Sequence, residues 1–261
     1  MISAKGLFTW YNGVIMLEDG EMVSRPALEL DLEGLNREFA DKSPQQVLEW
    51  ALKEFHPQIA VASSFGAEDI VLIDMVKKIN PDARVFTLET GRLHQETYAL
   101  MDKVKEMYGE LEVYYPDTAK LEDMVRKHGV NLFYNSIELR KLCCGVRKVE
   151  PLNRALSGLD AWVTGLRRDQ ASSRTETGKL ELDKAHGSII KVNPLVDLTS
   201  DDIWKYIRTN NLPYNALHDQ GYPSIGCEPC TRAVKPGEDP RSGRWWWEPR
   251  DASECGLHVK T

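Results

Sequence analysis

Long apolar runs are missing from this chain of 261 residues. The longest, such as Ile70–Ile73, are the size of a strand or a helical face. A membrane span needs about 20 residues, so the chain is not expected to cross a bilayer. Internal repeats and low-complexity tracts are also lacking, and no secretory signal stands at the start. The expected compartment is therefore the cytoplasm, where thiols stay reduced. A surplus of positive charge is absent too: 33 Lys and Arg face 40 Asp and Glu, a net charge of −7. That excludes a general nucleic-acid binder, so an anionic ligand would have to be met by a local basic pocket. What remains is ordinary soluble composition, 28% charged and 42% hydrophobic, in a chain long enough to bury a full core.

Cysteine is scarce, and its few positions are patterned. Two of the five are adjacent, Cys143 and Cys144. A second pair, Cys227 and Cys230, lies in Gly226-Cys227-Glu228-Pro229-Cys230, and Cys255 stands alone near the end. Four plus one suggests a metal-centre quartet and one thiol left for chemistry. Four thiolates suit tetrahedral zinc or an iron–sulfur cluster. Adjacent cysteines point in different directions and reach a cluster more easily than one small ion. Spacing thus favours a cluster without deciding it, and buried unligated thiols are the plain alternative.

Strand and helix patterns alternate along the middle of the chain. Apolar runs at Gln58–Ala62, Arg84–Leu88, Leu111–Tyr115 and Ala161–Thr164 read as strands. Helical patterns cover 32–40, 70–79, 93–108, 118–127 and 149–156, and Ser43-Pro44 caps a helix reaching Phe55. Leu180–Asp183 and Ser188–Val192 suggest a strand hairpin, and Thr199 caps a helix through Arg208. This spacing predicts an α/β fold: a doubly wound, mainly parallel sheet with helices on both faces. Three units are expected: residues 1–30 as an N-terminal extension with a short hairpin or edge strand, 31–235 as the main α/β domain that bears the four paired cysteines, and 236–261 as a basic loop and mobile C-terminal arm carrying the lone thiol.

Ligands of such sheets sit beyond the carboxyl ends of the strands. Three turns fall there. Ser63-Ser64-Phe65-Gly66 joins a strand to a helix and offers backbone N–H groups to an anion. It lacks the Gly-Lys-Ser/Thr ending of a triphosphate-binding loop. Thr90-Gly91-Arg92 ends the next strand, and Gly165-Leu166-Arg167-Arg168 ends another. Near the C-terminus, Arg241 and Arg244 occupy a Pro- and Gly-rich basic loop beside Trp245-Trp246-Trp247, a few residues before Cys255.

With these stretches together, the chain resembles the assimilatory adenylyl-sulfate (APS) reductases, the iron–sulfur branch of the phosphoadenylyl-sulfate (PAPS) reductase family, over about residues 30–261. The likeness rests on Ser63–Asp69, Glu89–Arg92, Gly165–Arg168, the four cysteines and the tail Glu254-Cys255-Gly256-Leu257-His258. It implies an adenine nucleotide alpha hydrolase-like fold. It also implies that Cys143, Cys144, Cys227 and Cys230 hold a [4Fe–4S] cluster and that the reaction is thiol-dependent reduction of APS to sulfite and AMP. Cys255 would be the nucleophile that carries a sulfonate, with His258 beside it and Lys148 between cluster and substrate. Ser63, Ser64, Phe65, Gly66, Thr90, Gly91, Arg92, Arg167, Arg168, Arg241 and Arg244 would bind the substrate.

The resemblance further implies an outside dithiol donor, thioredoxin or glutaredoxin, because the chain ends at Thr261 without the fused thioredoxin-like domain of plant enzymes. Residues 1–30 match nothing recognised in the family pattern, and they leave homo-oligomer contacts open. Three rivals stay in view. A PAPS or dual-substrate reductase would share the site, and an adenylating ATP pyrophosphatase would carry a longer Ser-Gly-Gly loop. An iron–sulfur sensor or scaffold would need neither the basic loop nor the tail thiol.

Overall fold

The computed structural model describes residues 30–170 and 174–249, together with three short strands nearer the N-terminus. These strands, β1 (Thr9–Tyr11), β2 (Val14–Met16) and β3 (Met22–Ser24), pair antiparallel in sequence order. The expected hairpin is thus a three-stranded meander.

The main sheet has six strands: β4 (Ile59–Ser63), β5 (Arg84–Leu88), β6 (Glu112–Tyr114), β7 (Ala161–Val163), β8 (Leu180–Asp183) and β9 (Ile189–Val192). Their order is β6-β5-β4-β7-β9-β8. Every pairing is parallel except β8 with β9, which close the sheet antiparallel as the hairpin reading expected. The chain runs outward from β4 through β5 to β6, then returns to place β7 on the other side of β4. That reversal is the switch point at which crossovers diverge and a crevice opens.

Side chains alternate across the sheet with period two, and both faces are buried. Ile59, Val61, Val85, Ala161 and Val163 face one layer of helices: α2 (Pro44–Phe55), α3 (Ala67–Ile79), α4 (Gln95–Tyr108) and α8 (Ser200–Thr209). The intervening Ala60, Phe86 and Trp162 meet Leu152, Ala155 and Leu156 of α7 (Glu150–Leu156) on the opposite face. The doubly wound arrangement read from the sequence is therefore present. Helices α1 (Leu32–Glu38), α5 (Thr118–His128) and α6 (Ile137–Cys144) complete the set. A third apolar cluster lies apart from the sheet, where Met124, Leu132, Phe133 and Trp245 surround three of the cysteines.

Ser43 opens α2 with a full capping box: its hydroxyl accepts from the Gln46 N–H at 3.3 Å, and the Gln46 side chain accepts from the Ser43 N–H at 2.9 Å. Pro44 follows at the first helical position, where a missing N–H costs nothing. Ser43→Ala should lower unfolding free energy by about 1 kcal/mol, read as a shift of the urea midpoint at constant slope. An unmoved midpoint would show that the exposed cap contributes nothing.

Candidate active site

A cavity of about 840 Å³, which is nucleotide size, opens at the carboxyl ends of β4, β5 and β7. Ser63, Ser64, Gly66 and Thr90 all line it, as the strand-end argument expected. Asp69 organises the first turn: one carboxylate oxygen accepts from the Ser64 N–H at 2.6 Å and from the Ser64 hydroxyl at 2.8 Å. Gly66 stands at the N-terminus of α3 without a side-chain cap. Phe65, from the same expected substrate turn, is not part of the cavity lining. Its backbone takes a left-handed φ of 61°, which turns the ring into the core at 1% exposure while its N–H donates to Ser63 Oγ.

Arg167 and Arg168 also reach the cavity, but with their charge already engaged. Arg167 donates through Nε and Nη2 to one Glu68 oxygen, at 2.9 and 2.8 Å, and pairs with Asp169. Arg168 pairs with Asp197 and donates to the Thr177 carbonyl. These arginines brace the loop after β7 as much as they face a ligand. Glu68, Asp69, Asp169 and Gln170, which complete that bracing, were given no role from sequence, although Glu68 and Asp69 lie in the stretch that carries the family likeness.

The cysteines meet in a second, smaller cavity beside the first. Cys143 and Cys144 end α6, and the chain continues through a π-helical turn, Gly145–Val149, into α7. Such wide turns recur at functional sites. Cys227 and Cys230 flank a short 3₁₀ turn, and all four cysteines line the same cavity. None of the four is in a disulfide. Burial pushes the Cys230 thiol up to about 12, with neighbouring Cys227 adding to the rise. Burial also raises Cys143, which Arg147 opposes. Thr90 Oγ1 lies 3.3 Å from Cys227 Sγ, and the buried Arg147 Nε and Trp245 Nε1 have no hydrogen-bond partner among the described residues. Among the described residues, no three His, Cys, Asp or Glu side chains are grouped as ligands of a single metal ion.

The two cavities share a wall made of Lys148, Cys227, Arg244 and Trp245. Arg241 lines the large cavity as well. The basic loop is pinned to the cysteine segment: Thr231 and Arg244 form an antiparallel bridge, and the Arg232 N–H donates to the Gly243 carbonyl at 2.9 Å. Two expected substrate residues stay out of the large cavity. Gly91 takes a φ of 70° at the turn, and Arg92 swings to the cysteine side, 5.1 Å over the Phe133 ring and bonded to the Val130 carbonyl. Arg147 is a participant that sequence reasoning missed; buried, it donates to the Thr90 carbonyl. Cys255 and His258 lie outside the described residues.

Residues 58–233 match the phosphoadenosine phosphosulfate reductase domain. The chain belongs to that family. An adenosine 5'-phosphosulfate reductase of Pseudomonas aeruginosa (strain LESB58) is 46% identical over 254 residues, covering 95% of this chain and 93% of the relative. That match covers 95% of the chain, so at least part of the N-terminal segment is aligned in it. A Burkholderia cepacia enzyme of the same name is 52% identical over 80% of this chain and 83% of its own length. Among solved structures, a PAPS reductase from Candida auris, in complex with phosphate, superimposes with a TM-score of 0.69 at 32% identity, covering 80% of this chain and all of that one.

Two predictions follow the geometry of this family site. A Cβ on Gly226 would fall 2.1 Å from Arg244 Nη2, so a side chain there must displace the guanidinium. Gly226→Ala should weaken AMP binding about tenfold, as for one lost charge-assisted hydrogen bond, with little change in melting temperature. Isothermal calorimetry checks it, and an unchanged affinity would show that Arg244 does not meet the ligand.

Burial raises the Asp69 carboxyl from 3.8 to about 6 against the hydrogen bonds from Ser64 that lower it. The folded state therefore holds this proton more tightly than the unfolded chain does. The Asp69 contribution to stability should fall as pH rises from about 4 to about 6, then level off. Compared with Asp69→Asn, wild-type protein should lose on the order of 3 kcal/mol across that window in urea unfolding. A pH-independent difference would overturn the assignment.

Proposed function

We propose that this chain reduces APS to sulfite and AMP, with Cys255 as nucleophile and an external dithiol of the thioredoxin or glutaredoxin class as reductant. The observation that carries the reading is the wall shared by a nucleotide-sized cavity and a smaller one lined by four thiols, three of them buried. Bacterial relatives that align over most of this chain are adenosine 5'-phosphosulfate reductases, which supports APS as the substrate.

The residues fit a [4Fe–4S] cluster. Four thiols line one cavity, and Arg147 Nε and Trp245 Nε1 beside it are buried donors without partners among the described residues. Cys143, Cys144, Cys227 and Cys230 would each hold one iron. Bound there, the cluster would supply a fixed field at the wall and a clamp joining α6 to the 227–230 turn. The raised thiols imply that loading releases protons.

The chemistry at the wall is a sulfonate transfer. The Cys255 thiolate attacks the sulfate sulfur; an S–S bond forms, the S–O bond to the phosphate breaks, and AMP leaves with the electron pair. A thiolate of the dithiol then attacks Cys255 Sγ, and sulfite leaves with the electron pair of the broken S–S bond. The second thiol of the donor resolves the mixed disulfide, so the donor is oxidised and the sulfur reduced by two electrons. Little covalent help is needed, and positive charge from Lys148, Arg241 and Arg244 stabilises the oxygens. Cationic neighbours also lower a thiol pKa and favour the attacking thiolate.

Anaerobic incubation with APS or with PAPS, without any thiol, followed by intact-protein and peptide mass analysis, tests the reading. A sulfonate on Cys255 with APS is the expected result. The Candida auris relative makes PAPS the second substrate to try, and adducts with both would mean dual use. No adduct with either, from protein whose visible cluster absorbance is intact, would sink the reductase reading.

A further inference from the structure

Arg140 and Glu248 form a fully buried, two-pronged ion pair that the sulfonate chemistry does not use. Arg140 Nε donates to one Glu248 carboxylate oxygen at 2.9 Å and Nη2 to the other at 2.6 Å. Their side chains are 0% and 3% exposed. A buried pair is weak support for stability, because desolvating both charges offsets most of their attraction. Its position is more telling. Arg140 lies three residues before Cys143 on α6, and Glu248 closes the turn that carries the basic loop back to the cysteines.

Trp245 links this pair to the substrate cavity. The Arg140 guanidinium lies 4.7 Å from the Trp245 ring centroid, and the Arg244 guanidinium lies 4.9 Å from the same ring. Cation–π contacts of this kind strengthen when desolvated, and this indole is 2% exposed. The Trp245 backbone is held at a φ of 44°, a left-handed conformation that a bulky residue adopts only where its surroundings enforce it. The restraints are visible: the Trp245 N–H donates to the Cys230 carbonyl at 3.2 Å, and the Glu248 N–H donates to the Trp245 carbonyl at 2.8 Å. Glu248, Arg140, Trp245 and Arg244 are thus a continuous chain of contacts ending in the substrate cavity.

We propose that Arg140 and Glu248 are positioning residues for Arg244, acting through Trp245 to aim its guanidinium at the phosphate or sulfate of the nucleotide. This rests on the reading of the large cavity as the nucleotide site. Removing one member of the pair strands a buried charge and destabilises any protein, so single truncations say little. The double variant Arg140→Met/Glu248→Leu removes both charges and keeps the volume apolar. The full-length, cluster-loaded protein is compared with wild type by urea unfolding, by visible cluster absorbance, and by affinity for AMP and for adenosine.

The expected result is near-wild-type stability and absorbance, unchanged adenosine affinity, and AMP affinity reduced about tenfold, the cost of one misplaced charge-assisted contact. A purely structural pair would move both ligands together or neither, and either outcome overturns the proposal. If the double variant does not fold, Arg140→Lys keeps the charge but loses the fork, and the same split between AMP and adenosine is required of it. Wild-type protein that binds neither ligand and forms no sulfonate would instead overturn the nucleotide-site reading itself.

Discussion

Four thiols, three of them buried, and a cationic cavity wall have to occupy adjacent space, and most of the local structure follows from that constraint. The thiols come from segments about 80 residues apart, the end of α6 and the 227–230 turn. Uncompensated thiols so deeply buried resist ionisation, as the rise of Cys230 shows. The same enclosure puts Arg147 and Arg92 on the cysteine side, while Lys148 and Arg244 stand on the shared wall. Fixed positive charge in that wall acts on both neighbours: it favours thiolate on one side and would favour an anionic ligand on the other.

The sheet provides the stage for this. Outward winding from β4 to β6, then a return to β7, leaves a crevice that no crossover covers. Asp69 and Glu68, at the start of α3, tie two of its turns together through Ser64 and Arg167. The backbone there is braced before any ligand arrives, which lowers the ordering cost of binding.

The strands and most helices could be read from residues alone because their signals are local. Apolar runs between turn residues marked β4, β5 and β7, and Ser43-Pro44 marked the start of α2. The cysteine quartet was equally plain, since Cys143 and Cys144 are adjacent in a chain with five. Side-chain direction was not. Phe65 and Arg92 sit in the expected turns yet point to the core and to the cysteines, because a positive φ at Phe65 and at Gly91 redirects the chain. Arg167 and Arg168 meet carboxylates from Glu68 and Asp197, far away in sequence. Helix α6 was missed because its buried face includes Arg140, whose partner is 108 residues distant. No local pattern announces that pairing.

The π-helical turn at Gly145–Val149 acts as a phase shifter between two otherwise ordinary helices. An α-helix advances about 100° per residue, and a wider turn absorbs one residue without lengthening the rod in proportion. Cys143 and Cys144 are set by the phase of α6, whereas Leu152 and Leu156 are set by the phase that α7 needs to cover the sheet. The two requirements are out of step, and the wide turn reconciles them. Lys148 lies within that offset, so its aim belongs to neither helix. An α-helix running straight from α6 into α7 could satisfy the thiols or the sheet, with Lys148 carried round to wherever that choice left it.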